Sequence, residues 1–214
     1  MPQLRFPIRT ERLLLRPFVD EDFEVLYAMH GHPEVTRYFL WGPLPREKVR
    51  ELLDRVKPMI GLDTPAEALR LAAVIPGSGE VTGEGPGTLI GDVSLWRTSR
   101  EHATAEVGFV IHPDHHGQGY ATEATAALLR VGFERDRLHR IVGRCDSRNA
   151  GSARVMERLG MRREAHFRQN ERIKGEWCDE LVYAILANEW KAGGRSCPMP
   201  PSSIRHPPSA SIPD

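Results

Sequence analysis

The stretch Ala105–Thr122, AEVGFVIHPDHHGQGYAT, carries the residue types and spacing best suited to chemistry. Ala105, Val107, Phe109 and Ile111 alternate with Thr104, Glu106, Gly108 and Val110, the period of a β-strand with one apolar face. Pro113, Gly117 and Gly119 then mark a short loop, after which a helix begins. Glycines at a strand-to-helix turn let the backbone come close to a ligand. The first amides of the new helix lack an intrahelical acceptor, and the helix dipole adds positive potential there. Together these predict a phosphate or pyrophosphate site made of main-chain donors, with no lysine in the loop. The plainer alternative is that the glycines only turn the chain. GxxxxGK[ST] and GxGxxG are both absent, so neither a P-loop nor a dinucleotide fingerprint is supported. His112, His115 and His116 crowd the same loop, yet no cysteine or carboxylate stands at a recognised zinc spacing, and no metal is expected. The other glycine cluster, Gly83-Glu-Gly85-Pro-Gly87, leads into a strand and reads as a flexible loop.

The elements that must position this turn are read from hydrophobic period. A strand is expected over Glu11–Arg16 and a helix over Asp20–His30, with Phe23, Leu26, Tyr27 and His30 at helical spacing. Pro45–Ile60 reads as a second helix presenting Val49, Leu52, Leu53, Val56 and Ile60 on one face. The runs Leu71–Ile75 and Thr88–Trp96 read as strands joined by a long hairpin connection, Pro76–Gly87. After the glycine turn come a helix over Ala121–Arg135, a strand over His139–Cys145 and a helix over Asn149–Leu159 that Gly160 ends. Strands around Met161–Arg168 and Trp177–Leu186 close a mixed α/β or α+β domain.

The chain has 214 residues and a mass of 24.1 kDa, which suits one domain. Residues 1–192 are read as that domain, and the Pro/Ser-rich stretch 193–214 as a disordered tail. Twenty-nine basic side chains balance 29 acidic ones, so the zero net charge argues against a general grip on nucleic acid or acidic membranes. No apolar run is long enough to span a bilayer, and no signal-peptide core is visible. Three dispersed cysteines, Cys145, Cys178 and Cys197, form no CxxC, which suggests neither a disulfide framework nor a zinc site and points to a cytoplasmic protein. Cys145 and Cys178 fall on predicted strands and read as buried, inert thiols. No Ser-His-Asp arrangement with a nucleophile elbow is present.

Several motifs in order resemble one family. His116-Gly-Gln-Gly-Tyr-Ala121 resembles the pyrophosphate motif Q/R-x-x-G-x-G/A of the GNAT acetyltransferases, and the preceding AEVGFVIHP resembles their central bulged strand. Asn149 to Met161, NAGSARVMERLGM, is similar to the second motif N-x-x-S-x-x-v-x-E-K-L-G-F. Thr10-Glu-Arg-Leu-Leu-Leu-Arg-Pro17 and the stretch Asp179–Trp190 resemble the Rim-type branch, named after ribosomal-protein N-terminal acetyltransferases. The resemblance covers about residues 8–190. It implies a mixed, mostly antiparallel sheet of six to seven strands flanked by about four helices. That sheet should be split like a V between the strands 103–111 and 139–145. It also implies acetyl-CoA as donor, a primary amine as acceptor (a protein N-terminus or a small molecule) and, for many relatives, a homodimer.

By the same resemblance, Val110, Ile111 and His112 at the strand end, Gly117, Gln118, Gly119, Tyr120, Ala121 and Thr122 in the turn, and Asn149 and Ser152 beyond it hold the cofactor. Glu106, on the strand face opposite Val107 and Phe109, corresponds to the family's acidic base; a solvated or ion-paired glutamate is the alternative. Asn149 also suits an N-cap. Many relatives carry a tyrosine four residues after Ser152 as thiolate acid; Met156 stands there, which shifts attention to Ser152. Asp179 shares a strand face with Trp177 and Leu181, so it either accepts a proton with a raised pKa or orients a loop. Tyr38, Phe39 and Trp41 fall where the family covers its acceptor site, or else serve as core anchors. The absent tyrosine keeps a second hypothesis open: a catalytically silent module that binds acyl-CoA. A phosphate-binding enzyme of another fold is a third.

Overall fold

A computed structural model describes residues 4–77 and 87–192. The proposed tail and most of the glycine-rich hairpin connection lie outside the described residues. The chain begins with two short strands, β1 (Ile8–Arg9) and β2 (Leu14–Arg16), then a 3-10 turn at Asp20–Asp22 leading into α1 (Phe23–His30). A four-residue helix α2 (Pro33–Thr36) and a loop precede α3 (Arg46–Val56). Next come β3 (Ile60–Gly61), β4 (Ala68–Ile75), β5 (Thr88–Ser99) and β6 (Thr104–Ile111). Helix α4 (Tyr120–Arg130) runs on into a π-helical turn, Val131–Arg135. The remainder is β7 (Arg140–Asp146), α5 (Ala150–Arg158), β8 (Arg162–Ile173), β9 (Glu176–Leu186) and α6 (Ala187–Ala192).

Nine strands form one sheet in the order β1-β2-β4-β5-β6-β7-β9-β8, with β3 beside β4. The count exceeds six to seven because β1 and β3 are two-residue strands with too little pattern to be seen in sequence. Strand faces alternate between two cores. Leu13, Leu15, Leu69, Leu71, Ile90 and Val93 pack with Ala124, Leu128, Ala153 and Met156 of α4 and α5. Leu14, Ala72 and Val74 pack with Leu26, Val49, Leu52, Leu53 and Val56 of α1 and α3. The sheet is thereby sandwiched between two helical layers.

Helix α3 stops at Val56, four residues earlier than its apolar period predicts, and Ile60 lies 39% exposed in β3. Lys57 still adopts helical backbone and donates to Leu53 O, but Pro58 has no N–H to continue the ladder, so the helix ends there. The expected bulge in β6 is also displaced. Pairing of β5 with β6 is regular from Gly91–Ile111 to Arg97–Ala105, and the register shift falls at Arg97–Ser99.

The feature that makes the site is the contact of β6 with β7, the parallel pair of the sheet's main path. It holds for four residue pairs, from Thr104–Arg140 to Val107–Gly143, and then ends. Beyond that point β6 continues along β5 to Ile111, while β7 continues along β9 to Asp146. The expected V-shaped split is therefore present. Its walls offer main-chain groups that no neighbouring strand takes.

Candidate functional site

The β6 arm of the split ends in the glycine turn. Gly117 and Gly119 adopt φ of +75° and +83°, a left-handed region open to glycine at little cost. A Cβ on Gly117 would project into open space, so its absence widens the approach to the backbone. The first helical bond here runs from Glu123 N–H to Gly119 O, 3.0 Å. The N–H groups of Gly117 through Thr122 donate to no backbone acceptor among the described residues. Such a cluster at a helix N-terminus fits a pyrophosphate. His116 pins the turn by donating from Nε2 to Ile111 O, 2.8 Å.

The turn is braced from the other end of the chain. Arg12 donates from its guanidinium to Gln118 O, 2.9 Å, and from Nε to Glu123, 2.8 Å, while its guanidinium stacks over Tyr120. Thr10 Oγ1 donates to Glu123, 2.6 Å. Sequence reading singled out the segment Thr10–Pro17 and the turn separately. That two residues more than a hundred positions away support this turn is legible only in three dimensions.

A cleft of about 360 Å3 opens from this turn into the split. Of the residues expected to hold cofactor, Val110, Ile111, Gly117, Gly119, Tyr120, Ala121, Thr122, Asn149 and Ser152 line it. His112 and Gln118 do not. His112 donates its N–H to Ile90 O and accepts from Asp114 N–H at Nδ1, so it extends the sheet and caps the short turn after it. The Gln118 main-chain carbonyl accepts from the Arg12 brace. Asn149 Oδ1 accepts from Ser152 N–H, 3.1 Å, the expected cap, and both residues line the cleft. Met156 is buried, with its sulfur where a Cβ on Gly143 would lie, so it faces the core and not the cleft.

A second cavity of about 230 Å3 adjoins the split. Glu106, Asp146, Glu171, Asp179 and Glu180 line it together with Arg144. The Glu106 side chain is 20% exposed and lies 3.3 Å from Arg144 Nε. Burial raises its pKa, Arg144 pulls it down, and Glu180 and Glu171 push it up again. Arg144 also donates to Glu180, which is buried and accepts from Asn170 Nδ2, 2.8 Å. Arg144, Glu171 and Glu180 were missed in the sequence. Arg144 and Glu180 gave no signal beyond charge on a predicted strand, and Glu171 lies past Arg168, where the sequence ended its strand.

Asp179 does line this cavity, but not as a carboxyl of raised pKa. The Gln169 N–H bonded to it at 2.9 Å, and His166 at 2.8 Å, hold its pKa below the usual carboxylate range. Trp177, its apolar neighbour in sequence pattern, is exposed and supplies no dry surrounding. The loop-orienting alternative fits, since Gln169 sits at a register shift between β8 and β9 with φ +50°. Burial pushes the Cys145 thiol up to about 11, so it is not an activated nucleophile, and Cys178 is buried beside Arg148.

The segment after α2 roofs both cavities. Tyr38 and Phe39 line the larger cleft, and Tyr38 and Leu40 line the acidic cavity. Trp41 lines neither: it is 44% exposed and packs on Phe39 with ring centroids 5.3 Å apart. Lys174, from the β8–β9 turn, ties down the roof by donating to Thr36 O, 2.6 Å, and Arg37 O, 3.2 Å.

Comparison with known proteins agrees with this arrangement. A family model described as "Acetyltransferase (GNAT) domain" matches residues 12–162. The uncharacterized N-acetyltransferase YnaD of Bacillus subtilis is 33% identical over 183 residues, covering 86% of this chain and 98% of the relative. A GNAT-family acetyltransferase structure from Bacillus anthracis superposes with a TM-score of 0.71 at 32% identity, covering 85% of this chain and 98% of the other. The spermidine N(1)-acetyltransferase of Escherichia coli is 24% identical over 178 residues, 83% of this chain and 88% of the relative. No helix among the described residues is long and apolar enough to cross a membrane.

Proposed function

This chain belongs to the GNAT acetyltransferase family, and on that premise we propose that it transfers acetyl from acetyl-CoA to a primary amine by direct attack in a ternary complex. The observation that carries the reading is the meeting of two unlike cavities at the split. One presents unsatisfied main-chain donors for a pyrophosphate, and the other presents carboxylates for an ammonium.

Acetyl-CoA supplies the thioester carbon. The turn Gly117–Thr122 binds its pyrophosphate, and the main-chain edges left free between β6 and β7 align the pantetheine arm. Glu106 takes a proton from the ammonium, directly or through water. Its burial makes it a better base than an exposed glutamate, while Arg144 keeps it ionised. Ser152 offers its hydroxyl as a hydrogen-bond donor to the sulfur. Asp179 positions the Gln169 bulge and adds negative charge to the cavity wall.

The acceptor is an amine with at least one further positive charge. Five carboxylates line the cavity; Asp146 is paired with Arg148, Arg144 is shared between Glu106 and Glu180, and Glu171 and Asp179 extend the negative charge beyond those pairs. Spermidine, which the Escherichia coli relative's name specifies, and protein N-termini followed by basic residues both have this chemistry. Within the family we assign the chain to the Rim-type branch on its Thr10–Pro17 opening, the segment that braces the phosphate turn.

Titration calorimetry with acetyl-CoA, CoA and ATP, followed by thiol release with simple monoamines, spermidine and basic N-terminal peptides, tests the proposal. Micromolar acetyl-CoA binding without ATP binding, and faster thiol release with the polycations, is expected. No acetyl-CoA binding overturns it. Binding without thiol release from any amine replaces it with the silent acyl-CoA module.

A further inference from the structure

The departing CoA thiolate has no obvious proton donor in this site. The residue four positions after Ser152, Met156, is buried against Gly143 and carries no acidic proton. An aliphatic hydroxyl such as that of Ser152 is a far weaker acid than a thiol, so it can hydrogen-bond the sulfur but gives up its proton uphill. Cys145 lines the acidic cavity, yet with a thiol pushed up to about 11 by burial it is a weaker acid than an ordinary thiol. Tyr120 sits at the pyrophosphate end under Arg12, and the Tyr183 hydroxyl is committed to Glu157, 3.0 Å away.

One phenol at the split remains, and its place is distinctive. Among the described residues Tyr38 alone lines both the cofactor cleft and the acidic cavity. Its Oη donates to Arg148 O at 3.3 Å, a long bond to the residue just before Asn149, whose side chain caps the helix bearing Ser152. Tyr38 and Ser152 thus both line the cofactor cleft. The ring is held by the Arg37 guanidinium, 5.3 Å from its centroid, and the preceding backbone by Lys174. The charged groups across the junction are Glu106, Arg144, Glu171, Asp179 and Glu180 on the acceptor side. Glu34, His115, His116, Arg154 and Arg158 lie on the cofactor side.

We propose that Tyr38 is the general acid of the reaction, donating its phenolic proton to the CoA sulfur as the thiolate departs. The inference rests on the acetyltransferase reading above. In the balanced step Glu106 first removes one proton from the ammonium. The amine nitrogen then bonds to the thioester carbon and the C–S bond breaks, with the bonding pair leaving on sulfur. Sulfur takes the proton of Tyr38 Oη, and the tyrosinate takes the second proton from the new amide nitrogen. Tyr38 ends unchanged, and Glu106 returns its proton to solvent. A phenol suits this duty because its acidity lies close to that of a thiol, with reference side-chain values of about 10 and about 8.5.

The test compares wild type with Tyr38→Phe, which keeps the ring and its packing. The assay is thiol release at saturating acetyl-CoA with spermidine and a basic N-terminal peptide as probe amines, alongside calorimetry with CoA. The expected result is a fall in kcat of about 100-fold, with KM for acetyl-CoA and CoA affinity unchanged. Replacement of Tyr38 by 3,5-difluorotyrosine, a more acidic phenol of similar shape, is expected to retain turnover and to move the alkaline limb of the pH profile to lower pH. If Tyr38 only clamps the roof through Arg148, Tyr38→Phe raises KM and weakens CoA binding, and the difluoro variant leaves the limb in place. Either result overturns the inference. An unchanged kcat in Tyr38→Phe overturns it as well, while leaving the acetyltransferase reading intact. Wild type that releases no thiol with any probe removes that reading and the inference with it.

Discussion

The cofactor cleft and the acidic cavity share one wall residue, Tyr38, and are otherwise made in opposite ways. The cleft's anion site is main chain: six consecutive amides, two left-handed glycines and a helix N-terminus, all within one short stretch. The acidic cavity is side chain. Glu106 comes from β6, Arg144 from β7, Glu171 from β8 and Asp179 and Glu180 from β9, and their character depends on mutual distance and burial. Amide donors keep their polarity whatever surrounds them, so a turn of this kind can bind the constant part of a donor molecule. Carboxylates gain or lose protons with their surroundings, so the cavity is the part whose chemistry and selectivity can be tuned.

This contrast can be broken most sharply at the base. Replacing the carboxylate in Glu106→Gln is expected to lower kcat by about 100- to 1,000-fold, with calorimetric CoA affinity unchanged. A parallel loss of CoA binding would mean that the two cavities are not separable. The converse change, Gly119→Val, puts a β-branched residue at φ +83°, where the backbone conformation costs about 1–3 kcal/mol. To escape that cost the turn must distort. CoA affinity is expected to fall about 10- to 100-fold, measured by titration. An unaltered Kd would reduce the glycine turn to a chain reversal.

Two smaller effects sharpen the comparison. Arg144 stabilises the ionised form of Glu106, the form that the proposed base role requires. Arg144→Gln therefore raises the Glu106 pKa, and the acidic limb of the kcat/KM profile moves to higher pH. A limb that stays put or moves lower would dissociate Glu106 from that limb. Arg12→Ala removes an exposed brace from the turn. It is expected to weaken CoA binding about 3- to 10-fold while costing less than about 1 kcal/mol of stability in denaturant unfolding, because surface ion pairs contribute little.

Legibility in the sequence followed the same division. The strand Thr104–Ile111, the turn, and the two helices after it could be read because period and glycine spacing act over a few residues. Helix α3 was read too long, since apolar spacing continued past the point where Pro58 limits the helix. Trp41 was grouped with Tyr38 and Phe39 by proximity in sequence, yet the loop turns it outward onto Phe39. Asp179 was judged by its neighbours along one strand, whereas its proton affinity is set by Gln169 and His166 from the adjacent strand.

The sequence by itself determined the elements, the phosphate turn and the family motifs, because each rests on local backbone preference or short-range spacing. Only the tertiary structure decided where β6 and β7 part company and that Thr10 and Arg12 brace the turn. It also brought charges from four strands into one cavity and set Tyr38 on the wall of both cavities. Those outcomes depend on strand register and on burial shared among residues far apart in the chain, and no single segment encodes either.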